Sequence, residues 1–520
     1  MQGTIVAIDV VVGDHVGTGQ QLMLIESMKM HHAIEAVSSG VITDIPVMIG
    51  QNVLVSDVLV SMVPGAAADP GPAPAIEVDV ERIRPDLAES FDRHRVGLDP
   101  ARPDAVARRR AVNRRTAREN VADLVDEGSF VEYGPLVVAA QRRRRSLDDL
   151  IARTPADGMI GGIGRVNGDV FTGRAAQCVA VSYDYTVLAG TQGLQNHRKK
   201  DRLFEVAEQL HLPVVFFTEG GGGRPGDTDG TGVSGLDCWA FNFFARLSGL
   251  VPLIGVNAGY CFAGNAAILG CCDVVIATID SNIGMGGPAM IEGGGLGVVA
   301  PGEIGPIEVQ RANGVVDVVV ADEAEAVEVA KRYLSYFQGP LAQWSVPDQR
   351  RLRHAIPEDR KRSYDVRSVV DGMFDVGSVL ELRRDFGLGI VTALARVEGR
   401  PLGVIANNPN HLAGAIDSDG ADKAARFMQL CDAFDLPIVT LVDTPGMMVG
   451  PEVERTALVR HCTRLFVTGA NVSVPMISIV LRKSYGLGAQ AMMGGSTKAA
   501  LACVAWPTGE FGGMGLEGAV

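Results

Sequence analysis

Val214-Val215-Phe216-Phe217-Thr218-Glu219-Gly220-Gly221-Gly222-Gly223-Arg224 is an apolar run without polar alternation that ends in four consecutive glycines. A strand with no alternation is covered on both faces, as in a parallel sheet with helices packed on each side. The glycines permit positive φ and close backbone approach at the strand's end. The stretch therefore reads as a buried strand of an α/β layer running into a loop. A charged helical pattern, Lys199 to Leu210, precedes it.

The same arrangement returns later in the chain. Arg165-Val166-Asn167-Gly168 is echoed by Arg396-Val397-Glu398-Gly399. Leu212-Pro213-Val214-Val215 is echoed by Leu436-Pro437-Ile438-Val439, and Val251-Pro252-Leu253-Ile254 by Val474-Pro475-Met476-Ile477. The separation between partners is nearly the same at all three places. That constancy predicts tandem repeats, the second with its helix over Asp422 to Phe434. Strands alternating with helices imply right-handed crossovers and a largely parallel sheet.

Each repeat offers two glycine-rich strand ends. In the first they are the run 220–223 and Ala258-Gly259-Tyr260-Cys261-Phe262-Ala263-Gly264-Asn265. In the second they are Asp443-Thr444-Pro445-Gly446 and Arg482-Lys483-Ser484-Tyr485-Gly486-Leu487-Gly488-Ala489. Amides at a helix start point outward and favour developing negative charge. Paired loops of this kind suit an oxyanion hole built from backbone alone. No His/Asp or Cys/His constellation competes with that reading, and Glu219 stands without a second carboxylate to activate water.

The amino end is different. Residues 1–63 are short alternating segments punctuated by Gly13-Asp14, Gly40 and Gly50-Gln51, the pattern of a small all-β module. Val12-Gly13-Asp14-His15-Val16 is echoed by Ile49-Gly50-Gln51-Asn52-Val53, so two similar halves meet as a flattened barrel. Between them, at an expected hairpin tip, stands Glu26-Ser27-Met28-Lys29-Met30. A core does not want the ammonium and a surface does not want two thioethers. Residues 64–80 form a linker, rich in Pro, Ala and Gly over 64–75, whose composition favours an extended, semi-stiff chain.

The 520 residues carry 47% apolar and 21% charged side chains, a globular composition. A net charge of -14 argues against nucleic acid as a partner. Arginines cluster at 108–118 and 142–145, readable as solvated surface or as a surface for phosphate or an acidic partner. The eight cysteines have no C-x-x-C pair or zinc spacing; no metal is expected, and they read as buried thiols of a reducing cytosol. Between Arg246 and Asp273 no charge occurs, yet Pro252, Asn257 and Asn265 interrupt the run, which reads as strand, turn and helix rather than a membrane span. No signal peptide is read, since the first residues alternate like a strand and include Asp9.

Met-Lys-Met at the tip resembles the signature of biotinyl domains; lipoyl domains of the same fold usually carry Asp-Lys-Ala. Ala117-Arg118-Glu119-Asn120 with Gly128-Ser129-Phe130-Val131-Glu132, the glycine run with Arg224, Asp443-Thr444-Pro445-Gly446 and Arg482-Lys483-Ser484-Tyr485-Gly486 resemble the carboxyltransferase of biotin-dependent acyl-CoA carboxylases of the propionyl-CoA/acetyl-CoA beta type. The resemblance implies an α/β fold of two crotonase-like repeats behind a biotinyl barrel, with a first half at 81–345 and a second at 346–520. It implies biotin covalently held on Lys29, flanked by Met28 and Met30, as needed for the amine to attack an activated carboxylate. It implies carboxyl transfer from carboxybiotin to the α carbon of an acyl-CoA through a thioester enolate, in fatty acid metabolism, giving a malonyl-CoA-type product.

By the same resemblance, Gly221 and Gly222 are the donors to the thioester oxygen, and Leu487 and Gly488 the donors to the ureido oxygen. Each such donor is worth about 3 kcal/mol. Gly486 contacts the cofactor; Gly264, Asn265, Arg198 and Gln490 contact substrate, with Gln490 at a position that tunes acyl preference. The family's usual Ser-Gly-Gly-Ala is Gly220 to Gly223 here, and its Gly-Gly-Ala is Gly486-Leu487-Gly488. His197-Arg198-Lys199-Lys200 reads either as a site for CoA phosphates or as a solvated helix start.

No ATP-binding loop is apparent, so ATP and Mg2+ belong to a biotin carboxylase partner, a separate subunit or a fused domain. A biotin protein ligase and a cytoplasmic homohexamer with shared active sites are also implied. Family members continue beyond Gly515-Leu516-Glu517-Gly518-Ala519-Val520, so the chain reads as trimmed or as a short member. Rival readings are a biotin-dependent decarboxylase or transcarboxylase, a hydratase, and a non-catalytic carrier scaffold.

Overall fold

A computed structural model describes residues 2–65, 79–230 and 237–515. The chain divides into two compact units, Met1–Arg84 and Pro85–Val520. The linker reading falls largely on 66–78, outside the described residues, as does 516–520 of the carboxyl end.

The amino unit is all β. One sheet orders β4 (Met30–Glu35), β3 (Gln21–Ser27), β1 (Gly3–Ile8) and β6 (Asn52–Val53); the other orders β2 (His15–Val16), β5 (Gly40–Asp44) and β7 (Ser61–Pro64). Ile5, Met23, Ile25, Val47 and Val53 fill one end of the core, and Val10, Val16, Leu22, Ala36 and Ile42 the other. The sequence echo is a geometric one. Asp14 and Gln51 each turn a side-chain oxygen back to the amide three residues earlier, on Val11 and Met48. Gly13 and Gly50 both take positive φ, and Val16 and Val53 both plug the core.

The large unit carries two sheets of one design. The first orders β16 (Val318–Val320), β14 (Val274–Thr278), β12 (Leu253–Asn257), β11 (Val214–Phe217), β10 (Gln177–Tyr183), β9 (Met159–Arg165) and β8 (Val131–Glu132). A small pair, β13 (Tyr260–Phe262) with β15 (Asn282–Gly284), lies beside it. The second orders β17 (Leu380–Leu382), β18 (Ile390–Val397), β19 (Arg400–Asn407), β20 (Ile438–Thr444), β21 (Met476–Tyr485) and β22 (Ala502–Ala505), with β23 (Glu510–Gly512) also on β21.

The expectation of a largely parallel sheet needs correcting at one edge. Strands β10–β11–β12–β14–β16 and β19–β20–β21–β22 are parallel, but β8–β9–β10 and β17–β18–β19 are antiparallel. The echo at 396–399 is a hairpin signal: Val397 pairs with Arg400, and Glu398 and Gly399 both take positive φ, as a two-residue type I′ turn requires.

Helices Leu194–Leu210 and Ser418–Ala433 cross from β10 to β11 and from β19 to β20, each starting about one turn before the expected point. Polar first turns hide these starts. Asp417 accepts from the Gly420 amide at 2.8 Å, an N-cap that closes the second helix's first turn. A single apolar cluster joins the halves, with Val215, Ile254 and Tyr333 from the first and Ile390, Ile405 and Leu436 from the second.

Candidate functional site

At the tip of the amino unit, Ser27 pairs with Met30, leaving Met28 and Lys29 as a two-residue hairpin loop. Both lie in the left-handed region, at φ 53° and 65°. Type I′ turns prefer Asn-Gly or Gly-Gly because residues bearing a Cβ are strained there. Here two large chiral side chains are held in it, and Met28 is 95% exposed. The turn lifts the Lys29 amine clear of the barrel, an arrangement that fits attachment of an acyl cofactor. His31 stands across from Glu26, 3.7 Å from its carboxylate.

In the first half, the glycine run is tied amide by amide. Gly220 donates to the Tyr260 carbonyl at 2.8 Å, Gly221 to the Ala189 carbonyl at 3.1 Å, and Gly222 to Asn265 Oδ1 at 3.1 Å. The expected roles of Gly221 and Gly222 as outward donors are thus not the arrangement present, because both N–H groups are spent inside the chain. Gly222 is required as glycine: its φ is +85°, and a Cβ would come within 2.7 Å of that of Ala263. The amides of Gly223 and of Gly264, first residue of helix Gly264–Gly270, have no partner among the described residues.

Asn265, expected at the substrate, is fully buried and fully used. Its Nδ2 donates to the Gly190 and Thr218 carbonyls at 3.2 Å each, and its Oδ1 also accepts from Gln192 Nε2 at 3.0 Å. Gln192 Oε1 in turn accepts from Lys200 Nζ at 2.8 Å, and Lys200 also donates to the Tyr183 hydroxyl at 3.0 Å. Burial pulls the Lys200 ammonium down to about 7.

The basic cluster 197–200 is split accordingly. Lys199 is buried and donates to the Ala156 and Met159 carbonyls. Burial, with Lys200 and Arg224 beside it, pushes His197 down to about 3. Only Arg198 is left on the surface. A solvated helix start therefore describes neither lysine.

The loop's ends are pinned by buried ion pairs. Arg224 bonds Asp157 at 2.8 Å, lies 3.4 Å from Asp227 and donates to the Thr191 carbonyl. The two aspartates cap the start of helix Leu194–Leu210, accepting from the Asn196 and Leu194 amides at 2.8 Å. At the other end Glu219 is held by Arg109 at 2.8 and 3.0 Å, so it is no free base. Burial raises the Glu219 carboxyl even against that arginine. Among the described residues no group of His, Cys, Asp and Glu is placed to hold a metal. Of the cysteines expected to be buried, Cys271 is exposed and Cys238 and Cys503 are half-buried.

In the second half the equivalent strand end is organised by Asp443. It accepts from the Tyr364 hydroxyl at 2.9 Å, Arg482 Nε at 3.1 Å and the Lys483 amide at 3.1 Å. Burial, then Asp443 itself, drives the Tyr364 hydroxyl far above its ordinary value. Strand β21 leads into helix Gly486–Met492 with Gly486 at φ 58°. Gly488 packs on Gly446 so closely that a Cβ would lie 2.6 Å from the Gly446 carbonyl carbon. Leu487 and Gly488 stand in the helix's first turn, where N–H groups have no intrahelical partner, and the N-cap Tyr485 side chain does not cap them. Leu487 is 62% exposed, and Gln490 is on the open face of the helix.

Gln192, Asp157 and Asp227 escaped the sequence reading, and Lys200 entered it only as part of the basic cluster. One signal was present: Leu188-Ala189-Gly190 is echoed by Leu412-Ala413-Gly414 at the separation that relates the other repeats, and all six residues take positive φ.

Two family models match the chain: "Carboxyl transferase domain" over residues 108–520 and "Biotin-requiring enzyme" over 1–62. The 12S subunit of methylmalonyl-CoA carboxyltransferase from Propionibacterium freudenreichii subsp. shermanii is 34% identical over 80% of this chain and 78% of that protein. The beta4 subunit of the biotin-dependent long chain acyl-coenzyme A carboxylase of Mycobacterium tuberculosis is 34% identical over 83% and 82%. Among solved structures, a single-chain, multi-domain long-chain acyl-CoA carboxylase matches all of this chain at 55% identity and a TM-score of 0.83. The chain spans about half of that protein's length (52%). The transcarboxylase 12S hexamer matches 84% of each chain at 32% identity and a TM-score of 0.72.

Proposed function

Because this chain belongs to the carboxyl transferase family and carries a biotin-requiring domain at its amino end, we propose that it transfers a carboxyl group from biotin on Lys29 to the α carbon of an acyl-CoA. The observation that carries this is the pairing, within one chain, of a lysine raised on a strained turn with two strand-to-helix junctions that present backbone amides.

When bound, biotin supplies a ureido group that carries the carboxylate. The chain's own parts do the rest. The Met28-Lys29 turn keeps the amine exposed for modification. The amides of Gly264 and Gly223 are the donors for the thioester oxygen, in place of Gly221 and Gly222. The amides of Leu487 and Gly488 face the second oxygen, with Gly486 setting the turn between strand and helix and Gln490 beside it. Preorganised donors of this kind stabilise charge that develops only in the transition state.

Residues 1–63 then form the carrier, 64–80 a tether that raises the cofactor's local concentration, and 81–345 and 346–520 the two halves. The 55% identity to a long-chain acyl-CoA carboxylase favours a long acyl chain, and the 12S neighbour's hexamer favours a hexameric assembly. A biotin carboxylase supplying the carboxylate, a biotin protein ligase and a cytoplasmic setting complete the reading. Among the described residues no helix is long and apolar enough to cross a membrane.

Mass spectrometry of protein from a biotin-replete host should find the Lys29 peptide biotinylated, and Lys29→Arg should abolish the label. Unmodified Lys29 would sink the proposal. Decarboxylation of malonyl-type CoA esters with free biotin should survive Lys29→Arg, since the large unit alone carries that chemistry.

A further inference from the structure

Behind the first glycine loop three polar side chains lie in a row without access to solvent: Lys200, Gln192 and Asn265. A side-chain amide is nearly symmetric in shape but not in polarity, since a half-turn exchanges acceptor for donor. Its direction is therefore set by its partners. A protonated lysine only donates, so Gln192 turns its oxygen to Lys200 at 2.8 Å and its nitrogen to Asn265 at 3.0 Å. Asn265 must then offer its oxygen, which also receives the Gly222 amide at 3.1 Å, while its nitrogen serves Gly190 and Thr218. Each partner agrees with the next along the row.

We propose that Lys200 and Gln192 are positioning residues: with Asn265 they form an amide relay of one fixed polarity that holds the Gly222 N–H inward. The loop's outer face is then left to Gly223 and Gly264. The catalytic consequence rests on the carboxyl-transfer reading; the geometry does not. The groups facing Lys200 are the Tyr183 hydroxyl on β10, the Gln192 oxygen, Asp201 and His197 on its own helix, Asp157 ahead of β9, and Cys238. Burial pulls the Lys200 ammonium down to about 7, so measurements belong on the acid side of that value.

Gln192→Glu tests polarity at constant shape. A carboxylate still serves Lys200 but turns an oxygen to Asn265, which must reverse and abandon Gly222. Hydrogen exchange of the peptide spanning 218–224 should rise about tenfold or more, as expected for loss of one buried hydrogen bond. The kcat of carboxyl transfer should fall by a similar factor, about tenfold, with acyl-CoA KM changed less than about threefold. Lys200→Met leaves the Gln192 oxygen unpaired and should also raise exchange. Adding Gln192→Leu removes the mismatched amide but also the donor to Asn265, so the double variant should recover only part of the lost protection and kcat, standing between Lys200→Met and wild type.

A role in packing alone predicts the reverse order, with isosteric Glu tolerated and the double variant worst. Wild-type exchange in Gln192→Glu, or a double variant no better than Lys200→Met, would overturn the relay. If Gln192→Glu fails to fold, the comparison of Lys200→Met with the double variant decides alone. Absence of carboxyl transfer in wild type would overturn the functional reading, while exchange would still decide the relay.

Discussion

The first and second halves of the large unit repeat one another along six strands, β8, β9, β10, β11, β12 and β14 against β17 to β22, yet they close the same corner in different ways. In the first, Asn265 reaches from the helix to the Gly222 amide and the Gly190 carbonyl. In the second, the residue in the place of Asn265 is Gly488, whose backbone lies directly on Gly446. The polar tie has moved to the neighbouring strand. Asn407 accepts from the Asp443 amide at 3.2 Å and donates to the Gly414 carbonyl, the counterpart of Gly190, at 3.4 Å. One fold thus fastens a loop by a side chain from the helix or by one from the sheet. Fastening from the sheet frees the helix start to be all backbone. On the proposed function, that leaves the amides of Leu487 and Gly488 at the helix start with no capping side chain from Tyr485.

Swapping the two solutions should break each half, the second more severely. Gly488→Asn installs the first half's residue where the backbone leaves no room for a Cβ. Carboxyl transfer should drop at least about a hundredfold, by analogy with loss of an oxyanion donor, with a clear fall in Tm. Asp443→Asn leaves Arg482 buried without its carboxylate and should cost about 3–5 kcal/mol in denaturant unfolding. The reverse swap, Asn265→Gly, strands the Gly222 amide and two carbonyls and should cost about 2–3 kcal/mol. If it costs nothing, the loop does not depend on the tie.

The smallest effect sharpens what the halves share. Lys199 and Lys423 occupy equivalent helix positions and each donates to two carbonyls, those of Ala156 and Met159 and those of Phe386 and Ile390. Burial pulls them down to about 8 and about 7. A lysine that binds its proton less tightly when folded than when unfolded makes stability rise with pH across that gap. Unfolding free energy should therefore climb between pH 7 and 9, and Lys423→Met should flatten the climb by about 1 kcal/mol per pH unit. From about pH 8, where thiols begin to ionise in the unfolded chain, buried thiols such as Cys178 and Cys261, pushed up to about 12, act in the opposite direction.

The sequence makes legible what depends on backbone freedom and burial. Strands β11 and β20, the glycine ends, the carrier hairpin and the repeat can all be read, because Gly, Pro and uninterrupted apolar runs have few uses. Direction is not legible. A glycine run says that φ is free, but the way each N–H points was decided by Ala189 and by Asn265, the latter far along the chain from Gly222. Nor is a buried lysine legible on a helix whose first turn holds Gln195, Asn196 and His197, since the carbonyls that satisfy Lys199 come from Ala156, ahead of β9, and Met159, the first residue of β9.

Met28 and Lys29 occupy a conformation that glycine would fill with less strain. Replacing Met28 by glycine should stabilise the isolated barrel by about 1 kcal/mol while making it a poorer target for modification. On the proposed function, folding and labelling thus select against one another at the apex. If Lys29 carries the cofactor as proposed, the residues there answer to the enzyme that would recognise them, and the rest of the barrel makes up for the tension they bring.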